Sequence, residues 1–115
     1  MKATVKKSHM SDVLNPFKAK KGEFVQGEER PTQWEGWIYC KNKDGVNGWA
    51  PKVFLRQIDN NPGKYQFIRS YNAIEISAFE GDSVEIKETE SGWAWVVNIK
   101  GEDGWIPLVN LDLEV

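Results

Sequence analysis

The stretch GWIYCKNKDGVNGWAPKVFL, residues 36–55, decides how the chain is read, because it recurs as GWAWVVNIKGEDGWIPLVNL at residues 92–111. The offset is 56 throughout, without a gap. Nine of the twenty positions are identical: Gly36, Trp37, Asn42, Gly45, Gly48, Trp49, Pro51, Val53 and Leu55, each with its partner 56 residues on. Trp, Gly and Pro are uncommon residues with special geometry, so their ordered recurrence marks an internal repeat, which is read before any local feature. The chain is two copies of one small unit.

Working outward, each copy reads as strands joined by turns. Trp37–Cys40 and Val46–Ala50 flank Asp44-Gly45, a hairpin signal. Trp93–Ile99 and Trp105–Pro107 flank the turn around Gly101. Pro51–Leu55 is too short for a helix and reads as one tight turn before a last strand. Upstream, residues 1–9 form a short strand with Tyr65–Tyr71 as its counterpart, and Val84 and Ile86 alternate with Ser83, Glu85 and Lys87. Asn, Pro and Gly make residues 58–64 the linker. No segment has helical periodicity. The expected fold class is all-β, a small sandwich or barrel occurring twice, at 1–58 and 63–115.

Length and composition bound this picture. A repeat of about 55 residues buries only about 60% of its unfolded surface, which the six Trp, five Phe and three Tyr help to offset. One Cys excludes an internal disulfide framework. The first ten residues lack an apolar core, so no secretory signal is expected, and no apolar run approaches a membrane span. The expected setting is cytoplasmic, with no membrane contact. The net charge of −2 hides an asymmetry: residues 1–58 hold eleven Lys and Arg against six Asp and Glu (+5), and residues 59–115 hold four against eleven (−7).

Candidate chemistry is sparse. Cys40 with His9 as base would be a nucleophile pair, but a lone Cys at an inward strand position reads as a small buried hydrophobe. One Cys and one His do not make a zinc site. No catalytic residue, metal or cofactor is expected, and the chain reads as a non-enzyme. Lys6, Lys7, Lys18, Lys20 and Lys21 form a basic cluster read as a solvated face; the acidic pI of about 5.4 weighs against nucleic acid.

The ordered set Gly-Trp, Gly-x-x-Gly-Trp-x-Pro and Leu resembles the core of Src-homology-3 (SH3) domains of the bacterial SH3-like type. Gly22-Glu23 and Gly81-Asp82 look like that family's Gly-Asp after the RT loop. Glu28 to Glu35 and Lys87 to Ser91 look like its n-Src loop, and Pro51 to Leu55 and Pro107 to Leu111 like its short 3₁₀ segment. The resemblance implies two tandem five-stranded SH3-like barrels in a bacterial cytoplasmic protein, each with an aromatic groove for proline-rich peptides in the polyproline II form.

Carried over by position, the first groove comprises Trp37, Trp49, Pro51 and Phe54, with His9 at the family's second RT-loop tyrosine. The second comprises Trp93, Trp105, Pro107 and Tyr71, with Asn110 replacing the groove tyrosine. His9 to Gly22 spans thirteen positions, a full RT loop whose acid is Asp12; Tyr71 to Gly81 spans ten, with Glu75 as its acid. The first groove is expected to be the better peptide site. Trp34 and Trp95 are expected to be packing residues, with the space between the units as one place for them. The expected function is recognition of a peptide or protein partner by a monomer. Two alternatives stand beside it: a structural protein whose barrels pack on each other, and a cell-wall or glycan-binding module.

Overall fold

Val84 and Ile86 alternate with charged and polar neighbours in a strand eight residues long. It is the longest in the structure, a computed structural model that describes residues 1–11, 16–32 and 34–114. In chain order the strands are β1 (Lys2–Val5), β2 (Lys18–Ala19), β3 (Phe24–Glu28), β4 (Trp37–Lys41), β5 (Asn47–Pro51) and β6 (Leu55–Gln57). They continue with β7 (Lys64–Phe67), β8 (Tyr71–Asn72), β9 (Ser83–Glu90), β10 (Trp93–Asn98), β11 (Asp103–Pro107) and β12 (Leu111–Leu113). The tight turns read after Pro51 and Pro107 are single 3₁₀ turns, Lys52–Phe54 and Leu108–Asn110. The all-β expectation holds, and no helix among the described residues is long and apolar enough to cross a membrane.

Two antiparallel five-stranded sheets form, in the orders β11-β10-β9-β1-β12 and β5-β4-β3-β7-β6, with β2 and β8 as a separate pair. Each sheet is an open ladder, ended by β11 and β12 in one and by β5 and β6 in the other. The pairings therefore do not close the barrels that the resemblance implied.

The compact units are not the contiguous halves 1–58 and 63–115. One unit, here called the split unit, joins Met1–Val13 to Ile74–Val115; the other, the central unit, is Leu14–Ala73. Strand pairing is the cause. β1 pairs with β9 and β12, both from the second repeat, while β7 pairs with β3 and β6 of the first. Residues 58–64, read as the linker, instead make the turn of the β6–β7 hairpin. Asn60 and Gly63 adopt left-handed φ of 58° and 85° there, and the Asn61 and Lys64 amides donate to the Ile58 and Asn61 carbonyls. The chain passes between units twice: between residues 11 and 16, and at the 73–74 bond. The Ala73 amide donates to the Phe17 carbonyl in the central unit, whereas the Ile74 carbonyl accepts from the Trp105 amide in the split unit.

β1 and β7 hold equivalent places. Ala3 faces Val84 and Leu113, and Tyr65 faces Val25 and Gln57. The two strands have exchanged repeats, and side-chain size explains the choice. A Cβ added to Gly27 would lie 2.7 Å from the Tyr65 ring and 3.1 Å from Ile38 Cδ1, so Tyr65 fills the space that Gly27 vacates. The residues equivalent to Gly27 and Tyr65 in the split unit are Ile86 and Ala3, both in its core. The bulk has moved from one strand to the other, so the reverse pairings would leave a void in one unit and an overlap in the other. Gly27→Ala is therefore expected to cost about 1–3 kcal/mol. Tyr65→Ala in the same chain should return part of that cost. Denaturant unfolding of both singles and the double gives the coupling, and strict additivity would count against this fit.

The cores follow the same division. The split unit packs aliphatic side chains, with Val5, Val96 and Ile106 fully buried. Phe17, Phe54, Phe67 and Tyr71 are buried in the central unit, where the Phe67 and Tyr71 rings stack 6.1 Å apart at 11°. The repeated Gly48 and Gly104 serve one purpose in both. A Cβ at Gly48 would overlap that of Phe17, and one at Gly104 would lie 2.8 Å from the Ile76 amide nitrogen.

Candidate binding site

In the split unit, β1 runs on past Val5 and bridges His9 to Ala78 through two 2.8 Å backbone hydrogen bonds. This bridge holds the imidazole beside Glu75, whose carboxylate accepts from His9 Nε2–H at 2.8 Å. Both side chains are partly exposed, at 18% and 29%. The His9 ring also meets Trp93 edge to face, with centroids 5.8 Å apart. Carboxylate, imidazole and half-buried indole thus form one row.

Packing underneath fixes that row. Trp93 pairs with Pro107 across β10 and β11, and a parallel bridge sets Glu75 beside Trp105. Asn110 stands where the other copy has Phe54. Its Nδ2 donates to the Lys7 and Ser8 carbonyls at 3.0 and 3.4 Å, and its own carbonyl accepts from the Lys6 amide at 2.8 Å. The missing aromatic wall is therefore a clamp on the arm that carries His9.

The matching positions of the central unit are more enclosed. Trp37, expected in an open groove, is only 7% exposed, and Pro51, Phe54 and Tyr71 are buried. Tyr71 meets Phe54 with centroids 5.6 Å apart, and its hydroxyl donates to the Trp49 carbonyl at 3.0 Å. The Arg69 guanidinium lies 4.1 Å over the Phe54 ring. Trp49 is half-buried and packs edge to face on Tyr39, 5.2 Å away.

Two groupings therefore change. His9, expected with Trp37, Trp49, Pro51 and Phe54, stands with Trp93, Trp105 and Pro107; Tyr71 makes the opposite move. Both travel with the exchanged strands β1 and β7, since His9 and Tyr71 hold equivalent places at the ends of those arms. Trp105, 3% exposed, is a packing residue, and Trp95 meets it edge to face 5.4 Å away within the same unit. Trp34 is half-buried, and its amide donates to Thr32 Oγ1 at 3.2 Å. Asp12, the acid read into the first RT loop, lies outside the described residues.

Cys40 is 1% exposed, and its thiol points to the Ile38 carbonyl at 3.8 Å. Burial pushes the thiol from 9.0 up to about 12. Cys40 belongs to the central unit, and the imidazole that would have activated it stands with Glu75 in the split unit. A pH effect follows. Below about pH 9 the folded and unfolded thiols are both protonated. Between about 9 and about 12 only the unfolded thiol ionises, so stability falls by about 1.4 kcal/mol per pH unit. From pH 8 to 10.5 the parent chain should lose about 2 kcal/mol more than Cys40→Ala. Urea midpoints of the two proteins at both pH values measure this; equal losses would mean an ionisable thiol. Among the described residues no three His, Cys, Asp or Glu side chains gather as metal ligands.

No family model matches the chain, and no solved structure matches it significantly.

Proposed function

We propose that the chain is a non-enzymatic binding protein built from two SH3-like units, and that it docks a partner peptide on the Trp93–His9–Glu75 row of the split unit. The observation that carries this is the placement of a half-buried indole next to a carboxylate that is only partly committed. Glu75 spends Oε1 on His9, which leaves Oε2 to accept from a cation on the ligand. A proline ring of an extended, proline-rich segment packs on Trp93, and a neighbouring Arg or Lys reaches Glu75. Such segments lose little entropy on docking because they are preformed. The buried Trp37, Phe54 and Tyr71 favour the split unit over the central one.

The test is an NMR titration of the full chain with a proline-rich peptide bearing one Arg. The Trp93 indole N–H should shift progressively while that of Trp37 stays in place. Glu75→Gln should weaken binding about tenfold, the loss of a charge-assisted hydrogen bond. A Trp93 signal unmoved at millimolar peptide would remove the proposal.

A further inference from the structure

The central unit, which contributes no residue to this docking row, has an open face of its own. Strands β3 and β4 and the 61–64 turn border a depression of about 960 Å³, open to solvent, near the upper end for ligand sites of about 300–1,000 Å³. Its cations are Arg30, Lys41, Lys43 and Lys64, against one carboxylate, Glu28. Arg30 is held by Glu28 at 3.0 Å, and Lys43 by Glu23 at 3.5 Å. Lys41 and Lys64 have no carboxylate partner among the described residues. Both face Gln26 across neighbouring strands, which puts their backbones about 10 Å apart.

Aromatic surface lies among these charges. Phe24 is 49% exposed with Lys64 Nζ 4.9 Å from its centroid, and the Arg30 guanidinium sits 4.0 Å over Tyr39. The acidity of the whole chain hides this concentration. The central unit holds ten Lys and Arg against six Asp and Glu, a net charge of +4, and the split unit carries −6.

We infer that this face binds single-stranded nucleic acid, with phosphates on Lys41, Lys43 and Lys64 and bases stacked on Phe24 and on the Arg30–Tyr39 pair. A track of cations interleaved with rings is what a flexible strand requires. An acidic peptide would satisfy the ammonium groups but bring no flat ring to pack on the exposed Phe24 ring or on the guanidinium–ring stack.

Fluorescence anisotropy of labelled oligothymidylate and oligouridylate, titrated with the full chain, tests this. Two or three phosphate contacts should weaken binding about tenfold between 50 and 200 mM salt. Reversing two charges, Lys41→Glu with Lys64→Glu, should weaken it at least tenfold, and Phe24→Ala about fivefold. All three side chains are exposed, and circular dichroism checks that the fold is kept. Trp93→Ala should leave oligonucleotide binding intact, which separates this face from the peptide row. No anisotropy change at 50 mM salt, or the same affinity after charge reversal, would overturn the inference. So would displacement of the oligonucleotide by polyglutamate combined with no effect of Phe24→Ala, which would assign the face to acidic peptides.

Discussion

Residues 14–73 expressed alone should fold, and residues 1–58 should not. The first fragment contains β2 to β8, every strand of one five-stranded sheet and the separate β2–β8 pair. It keeps the aromatic core of Phe17, Phe54, Phe67 and Tyr71. The second fragment follows the sequence repeat but removes β7, the partner of both β3 and β6. Only β1 can take that place, and it would bring Ala3, Val5 and His9 where Tyr65, Phe67 and Tyr71 stand. Vacating one buried aromatic site costs about 3–5 kcal/mol. At about 0.05–0.15 kcal/mol per residue, a unit of this size has about 3–9 kcal/mol in total. Proton NMR and thermal melts give the answer: dispersed signals and a cooperative transition for 14–73, neither for 1–58. A 1–58 fragment as stable as 14–73 would mean that β1 serves both sheets equally well.

Phe67→Ala is the second large effect, and it should reach beyond its own unit. Phe67 is 1% exposed, 6.0 Å from Phe17 and stacked on Tyr71, so its loss costs about 3–5 kcal/mol. The central unit should then unfold. With it goes the pairing of Lys18 with Asn72 and Ala19 with Tyr71, which brings the two ends of this inserted segment together. The split unit, assembled from residues 1–11 and 74–114, would have to close a loop of about 60 residues, at an added cost of about 2–3 kcal/mol. The reverse effect is smaller. Val5→Ala, at the equivalent position of β1, costs about 1.5–3 kcal/mol and should leave the central unit folded, because that unit is one continuous segment. Separate indole signals for Trp37 and Trp93 report each unit during denaturation. Equal effects of the two substitutions on both signals would contradict this one-way dependence.

This dependence also bears on the proposed docking row. His9 arrives on the arm that follows β1, and Glu75 on the segment re-entering from the central unit. Their 2.8 Å contact exists only when the inserted segment has brought residues 11 and 74 back to one unit. Peptide binding at Trp93 should therefore be lost when the central unit is unfolded, even though no residue of that unit lies in the row.

Much of the site was legible in its residue types. Trp93 and Pro107 do pair across a hairpin, Asn110 stands where the other copy has Phe54, and Glu75, the acid read into the second RT loop, reaches His9. Their company was not legible. His9 and Tyr71 hold matching places in the repeat, so position alone cannot distinguish which of the two serves which tryptophan. The enclosure of Trp37 was hidden for a related reason. Alternation along β4 puts it on the opposite face from Ile38, yet both are buried, because sequence gives the face of a strand and not what covers it.

What the sequence determined by itself is local and repetitive. Gly36–Leu55 and Gly92–Leu111 encode a hairpin, a 3₁₀ turn and the start of an edge strand through turn chemistry, strand alternation and glycines that allow close approach. These act within about twenty residues and need no knowledge of the rest of the chain. Tertiary structure decided which copy each first strand joins. β1 and β7 are four residues each, with similar ladders and interchangeable backbone hydrogen bonds, so pairing energy does not discriminate between them. Side-chain volume does: Tyr65 fits over Gly27, Ala3 fits beside Ile86, and neither fits the other site as well. That complementarity joins residues on separate strands, and it becomes visible only once the sheets are assembled.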